Sequence, residues 1–300
     1  MILAPAVRPR LPAIMLSDHA LALIRDVFAN QNLFLDAPRI RTRMVAWGPD
    51  SKLLAVDHSG VVVSEEVLLT ALEPVITSGE SGANEWSIFA SKPLPAPAAE
   101  HEFGSRVASI APVRLREASR SEACWIEALE DGWLFLLANW LLSVGGSPET
   151  LLSRSRVIAA EIAERGETVG RFAAYPRISA PLTGPAWLAC GTAAMAFDPL
   201  CGDGTAHAIR EAVLAAAVIQ AVVKGGPARE ILAHYEARLT AGFERHLSLC
   251  RDYYGSGGGG AWWKQELAAI EQGIAWCGER LRDHGPFRYR LSGFELHALD

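Results

Sequence analysis

Gly191-Thr192-Ala193-Ala194, Asp198-Pro199-Leu200 and Gly202-Asp203-Gly204 fall close together in the chain, and their side-chain types suit holding a ligand more than attacking one. A threonine hydroxyl and aspartate carboxylates can bind hydroxyl and amide groups, while glycines leave the backbone open to close approach by something flat. The run Ala186 to Cys190 is apolar and of strand length, and the nearly continuous apolar stretch from Thr205 to Val223 reads as a helix. The glycine turn therefore lies between a buried strand and a helix N-terminus. There, unpaired backbone N–H groups and the positive end of the helix dipole favour an anion or a polarised carbonyl.

At these residues the chain resembles the second flavin-binding motif of FAD-dependent monooxygenases and related oxidoreductases, the p-hydroxybenzoate-hydroxylase-like and tryptophan-halogenase-like class. That motif runs Gly-Asp-Ala-Ala, a short apolar stretch, Asp-Pro and a Gly-rich turn opening a helix. The resemblance implies FAD as cofactor, with the first part of the motif on the ribityl chain and the turn and helix start on the pyrimidine edge of the isoalloxazine. The contact stretch it implies is Gly191, Thr192, Ala193, Asp198, Pro199, Leu200, Gly202, Asp203 and Gly204. Thr192 stands where the family carries Asp; a hydroxyl can still bond a ribityl OH but without charge assistance. Asp198 has a second open reading, as a brace of the loop through backbone N–H groups.

The class begins with a strand, a Gly-x-Gly-x-x-Gly turn and a helix that hold the ADP half of FAD, and no such fingerprint occurs in this sequence. Met1 to Pro5 followed by Arg8-Pro9-Arg10-Leu11-Pro12 resembles the end of the second strand of such a unit, so the chain reads as truncated ahead of it. The glycine run Gly255 to Gly260 follows Tyr253-Tyr254 in a helical stretch and reads as a flexible connection between helices.

The elements that must position the motif follow from pattern. Ser17 caps a helix to about Phe28, and Ser64 opens another before Pro74. Arg41 to Trp47, Lys52 to Asp57 and Val61 to Ser64 read as short strands, the last two separated by a His58-Ser59-Gly60 turn. Ala108 to Glu117, Glu122 to Ala128 and Trp133 to Leu142 read as further strands, and Pro227 to Tyr254 and Trp262 to Arg282 as amphipathic helices. With the resemblance, the expected fold is α/β: an incomplete Rossmann-like FAD-binding portion in residues 1–83 and 146–225, a mixed or antiparallel substrate sheet inserted at 84–145, and a C-terminal helical region at 226–300.

Flavin chemistry asks few catalytic side chains of the protein, so no catalytic residue is assigned. Trp125, Trp133 and Trp140 are candidates for a pocket wall facing an aromatic substrate or for core packing, and His207 and His58 are read as ring-facing or as satisfied polar residues. Trp262-Trp263-Lys264 does not match the Trp-x-Trp-x-Ile motif of the halogenase branch, which favours hydroxylation or dehydrogenation. No histidine or cysteine array has metal spacing. Five cysteines without a Cys-x-x-Cys pair suggest reduced thiols and a cytoplasmic setting, with Cys201 in the loop able to touch a cofactor.

A net charge of −6 and the lack of a basic–aromatic cluster give no reason to expect nucleic acid. The strongly apolar window Ala212 to Ile219 is too short for a membrane span. Two function classes remain: an FAD-dependent, monooxygenase-like oxidoreductase acting on a small-molecule or protein-borne aromatic substrate, or a cofactor-free or weakly binding relative serving as an interaction or maturation partner.

Overall fold

A computed structural model describes residues 10–48, 52–73, 86–202, 204–285 and 287–299. Asp203 and residues 1–9, on which the reading of a truncated N-terminal unit rests, lie outside the described residues. Among the described residues the helices are α1 (Asp18–Val27), α2 (Glu65–Leu72), α3 (Pro148–Arg154), α4 (Ile158–Glu161), α5 (Gly191–Ala194), α6 (Gly204–Val223), α7 (Ala228–Ser256) and α8 (Ala261–His284). Serine caps start three of them. Ser17, Ser64 and Ser147 accept from the backbone N–H groups of Ala20, Val67 and Thr150.

The main sheet has nine strands and is mixed, as expected for an α/β chain. Arg39–Ala46 runs parallel to Ala123–Leu129, and antiparallel neighbours extend the sheet on both sides. Strands from residues 14–63 thus join those from residues 107–173 in one sheet. A separate small sheet pairs Trp187–Ala189 in parallel with Ser87–Phe89, and this pairing delivers the chain to Gly191.

Three local readings need correction. Leu54–Val63 is one continuous strand: Gly60 pairs with Ser17 on one side and Ile40 on the other, so two neighbouring strands hold His58-Ser59-Gly60 extended where its composition suggested a turn. The single strand expected over Trp133 to Leu142 is a hairpin, Gly132–Leu137 and Trp140–Gly145, turned by Ala138 at φ 50°. An apolar run lacking Gly or Pro hid this turn from the pattern.

The glycines between α7 and α8 are a packed turn in place of a slack linker. A Cβ at Gly258 would lie 2.1 Å from Trp263 Nε1, and one at Gly260 would lie 2.6 Å from the Glu130 carbonyl oxygen. Their absence lets the buried Trp263 donate its Nε1–H to Leu129 O at 2.8 Å.

Alternation sorts the sheet into two faces. Trp125, Leu134, Leu136 and Leu141 pack with Leu151 of α3 and Ile158 of α4. Ile126, Trp133, Phe135, Leu137, Trp140 and Leu142 face the other way, toward a cavity. α6 is the one helix among the described residues long and apolar enough to cross a bilayer, yet it packs against α1, α5, α7 and the hairpin Tyr289–Ser292/Glu295–Ala298.

Candidate functional site

The strand–loop–helix segment forms one wall of a cavity of about 860 Å³, within the usual range of roughly 300–1,000 Å³ for small-molecule sites. Gly191, Thr192, Pro199, Leu200, Gly202 and Gly204 line it. Opposite them stand Trp133, Phe135 and Trp140 on the sheet, and the N-terminal strand Ile14–Ser17 contributes Ile14, Met15 and Leu16. Of the three tryptophans singled out from sequence, Trp133 and Trp140 reach the cavity, whereas Trp125 lies on the other sheet face beneath Arg120.

Each loop residue is placed by identifiable bonds. Gly191, at φ +55°, follows the strand Trp187–Ala189, and its N–H donates to Glu211 Oε2 at 2.8 Å. Thr192 donates its hydroxyl to Ala90 O at 3.1 Å, which leaves the oxygen free to accept. Pro199–Cys201 forms a single 3-10 turn capped by Asp198, whose Oδ1 accepts from Leu200 N at 2.8 Å. Gly202 then takes a left-handed conformation, φ +66°, and α6 begins at Gly204. A Cβ at Gly202 or Gly204 would meet nothing within 4 Å, so the space before the turn is open.

Two members of the implied contact stretch lie behind the wall. Ala193 is fully buried, its N–H donating to Ala90 O at 3.2 Å and its carbonyl accepting from Ser179 Oγ at 2.8 Å. Asp198 is buried as well, and its bonds are those of a brace. Arg106 Nε lies 2.9 Å from Asp198 Oδ2, Tyr254 OH donates to the same oxygen at 2.9 Å, and Asp198 N–H donates to His246 Nε2 at 2.9 Å. Burial pushes the Asp198 carboxyl upward against the pull of Arg106.

Arg106 anchors a larger network that composition and spacing did not reveal. Its Nη1 lies 2.5 Å from Glu266 Oε2 on α8, its guanidinium stands 4.6 Å from the Tyr254 ring centroid, and Tyr254 OH accepts from Trp133 Nε1 at 3.1 Å. Burial opposes the Arg106 charge, but Tyr254, Asp198 and Glu266 together carry its pKa above the ordinary arginine value. The loop is thereby tied to α7, α8 and the sheet. His207, a ring-facing candidate by sequence, lies tilted by 30° against Phe197 with ring centroids 4.5 Å apart, and His58 lies on the long strand Leu54–Val63 and is not among the residues lining the cavity.

Glu211 is the cavity residue that sequence reading missed. With Gly204 and Ala208 it forms an i, i+4, i+7 stripe on α6 facing the cavity, so its signal was helical spacing from the motif glycine. One oxygen accepts from Gly191; the other, Oε1, is buried without a partner. Burial raises its pKa to about 8. Arg10, Arg43, Arg171 and Arg177 also line the cavity, against only Glu65 and Glu211, so the lining is basic despite the acidic chain. Among the described residues, Cys201, His246 and Cys250 are the one cluster with ligand atoms close enough for a metal, all within 4.8 Å.

No protein-family model matches the chain, and no curated protein matches it by sequence. Solved structures do match its fold. A structure described as the peptidyl tryptophan dihydroxylase QhpG, essential for tryptophylquinone cofactor biogenesis, superposes with a TM-score of 0.63 at 18% identity over 88% of this chain and 71% of that one. The myxobacterial chondrochloren halogenase CndH, a variant of FAD-dependent halogenases, gives 0.63 at 14% identity over 92% of this chain and 82% of that one. The 2,6-dihydroxypyridine-3-hydroxylase of Arthrobacter nicotinovorans gives 0.59 at 12% identity, covering 86% of this chain and 85% of that one. The chain therefore has the α/β fold of FAD-dependent halogenases and hydroxylases, with a C-terminal helical region.

Proposed function

We propose that this protein is an FAD-dependent, monooxygenase-like oxidoreductase acting on an aromatic substrate, free or carried on a protein. The observation that carries this reading is the position of the cavity between the Gly191–Gly204 loop and the aromatic sheet face. The residues present fit a large, flat, anionic cofactor: the glycine turn leaves open space, Glu211 Oε1 lacks a partner, and four arginines line the wall. FAD, when bound, supplies two-electron redox chemistry.

The chain's own residues position and shield. Gly191, Thr192, Pro199, Leu200, Gly202 and Gly204 form the cofactor wall, with Asp203 completing the motif and Ala193 and Asp198 holding it from behind. Phe135 and Trp140 exclude water and offer ring faces and edges to an aromatic substrate, with the buried Trp133 packed behind them. The similarity to a peptidyl tryptophan dihydroxylase supports a protein-borne substrate. The odd cysteine count, with all five thiols free, supports a cytoplasmic setting.

The test is titration of the purified chain with FAD, followed by calorimetry, for the wild type and Gly204→Leu. A leucine at this first helical position has room, so folding is kept while the side chain fills the space before the loop. We expect an unchanged melting temperature and affinity weakened more than tenfold. Equal affinity in both proteins would favour the interaction-partner role.

A further inference from the structure

Cys201 ends the 3-10 turn of the cavity loop, and Cys250 lies on α7 behind it. Their sulfurs are 3.6 Å apart, and Cys250 Sγ is 3.4 Å from His246 Nε2. Cys201 is partly exposed, whereas Cys250 and the other three cysteines are buried. We propose that Cys201 and Cys250 form a reversible thiol–disulfide site that tethers the cavity loop to α7.

The geometry favours a disulfide over a bound cation. Nε2 of His246 already accepts from Asp198 N–H at 2.9 Å, so a metal would have to displace a buried backbone bond. Burial lowers the His246 pKa to about 3, which keeps the ring neutral and its Nε2 an acceptor. The hydrogen bond with Cys201, burial and the Asp198 carboxylate push the Cys250 thiol up against the pull of Arg106, so the partly exposed Cys201 is the attacking thiol and Cys250 the resolving one. Closing 3.6 Å to the bonded distance of about 2.05 Å needs a small approach of the two sulfurs, with the turn as the element that can yield.

The oxidant is a peroxide. The Cys201 thiol gives up its proton and its sulfur attacks one peroxide oxygen; the O–O bond breaks, the sulfur becomes a sulfenic acid, and the second oxygen leaves as hydroxide that takes up the thiol proton to form water. The Cys250 sulfur then attacks the Cys201 sulfur, the S–O bond breaks, and the leaving hydroxide takes the Cys250 proton to form water. Two thiols are oxidised by two electrons and one peroxide is reduced to two waters. A thiol reductant reverses the bond by exchange. Because Gly202 and Gly204 follow directly, oxidation fixes the wall of the cavity from behind without placing any group inside it.

The test treats the whole folded chain with a small excess of hydrogen peroxide, blocks free thiols with N-ethylmaleimide after denaturation, and maps peptides without reduction. We expect a single cross-linked pair joining the Cys201 and Cys250 peptides, loss of two thiols, and reversal by dithiothreitol. In Cys250→Ser, Cys201 should instead be trapped by dimedone as sulfenic acid, and in Cys201→Ser no cross-link should form. All five thiols alkylated after peroxide, linkages scrambled through Cys124, Cys190 or Cys277, or one tightly held zinc per chain that keeps both thiols reduced would each overturn the proposal.

Discussion

Arg106 Nε and Asp198 Oδ2 lie 2.9 Å apart with both side chains fully buried, and this pair ties the loop beside the cavity to the main sheet. Arg106 immediately precedes the strand Val107–Leu115, and Asp198 caps the turn before Gly202. The same guanidinium meets Glu266 of α8, so a single cation joins sheet, loop and C-terminal helices. A buried charge of this kind is stable only with its partners in place.

Replacing Arg106 with Met is therefore expected to strand two buried carboxylates and destabilise the chain by about 3–5 kcal/mol. Urea unfolding checks the value. Asp198→Asn, which keeps the shape and one carbonyl oxygen for Leu200 N, should cost less than Arg106→Met because it leaves the Arg106–Glu266 pair intact. Equal stability of Arg106→Met and the wild type would show that the network contributes nothing.

How much of this was legible from sequence depends on range. Strand, loop and helix around Gly191 to Val223 were readable because apolar runs, proline, glycine and helix caps act within a few residues. Arg106 and Glu266 stand 160 positions apart, and no local pattern pairs them. The Ala138 turn was hidden for a related reason: neighbouring strands impose the positive φ on a residue that does not announce it. Glu211 was within reach of helical spacing, but a lone glutamate in an apolar helix reads first as a solvent-facing residue.

Gly202→Ala tests the turn by itself. Nothing crowds a Cβ there, so the cost is the left-handed conformation alone, φ +66°, roughly 1–2 kcal/mol for a residue with a side chain. Gly204→Ala, at a helical position with equal space, should be neutral or slightly stabilising. Thermal melts of both variants check the difference. Equal losses at the two positions would contradict the backbone geometry.

The two sheet faces predict opposite outcomes for tryptophans near each other in sequence. Trp125 is 2% exposed in the face packed on α3 and α4, so Trp125→Ala should lose about 3–5 kcal/mol. Trp140 borders the cavity and is only half-buried, so Trp140→Ala should lose far less stability while enlarging the binding space. Binding of a fluorescent aromatic probe, measured beside urea unfolding, should change in Trp140→Ala at unchanged fold. If Trp140→Ala unfolds as readily as Trp125→Ala, the cavity face is core.

Glu211 gives the chain a stability that depends on pH in a stated direction. Its folded pKa is raised to about 8 by burial from the ordinary glutamate value of 4.5, so the folded chain holds a proton that the unfolded chain has released. The stabilisation is complete below about pH 4.5 and is lost as pH rises through about 8. The slope in that window approaches 1.4 kcal/mol per pH unit at most. Glu211→Gln keeps an amide oxygen for Gly191 N–H and cannot ionise. Its stability relative to the wild type should accordingly grow from pH 5 to pH 8 and then level off. Urea unfolding across that range measures the difference. Parallel curves for the two proteins would mean that Glu211 is ionised in the folded state throughout, with its second oxygen solvated from the cavity.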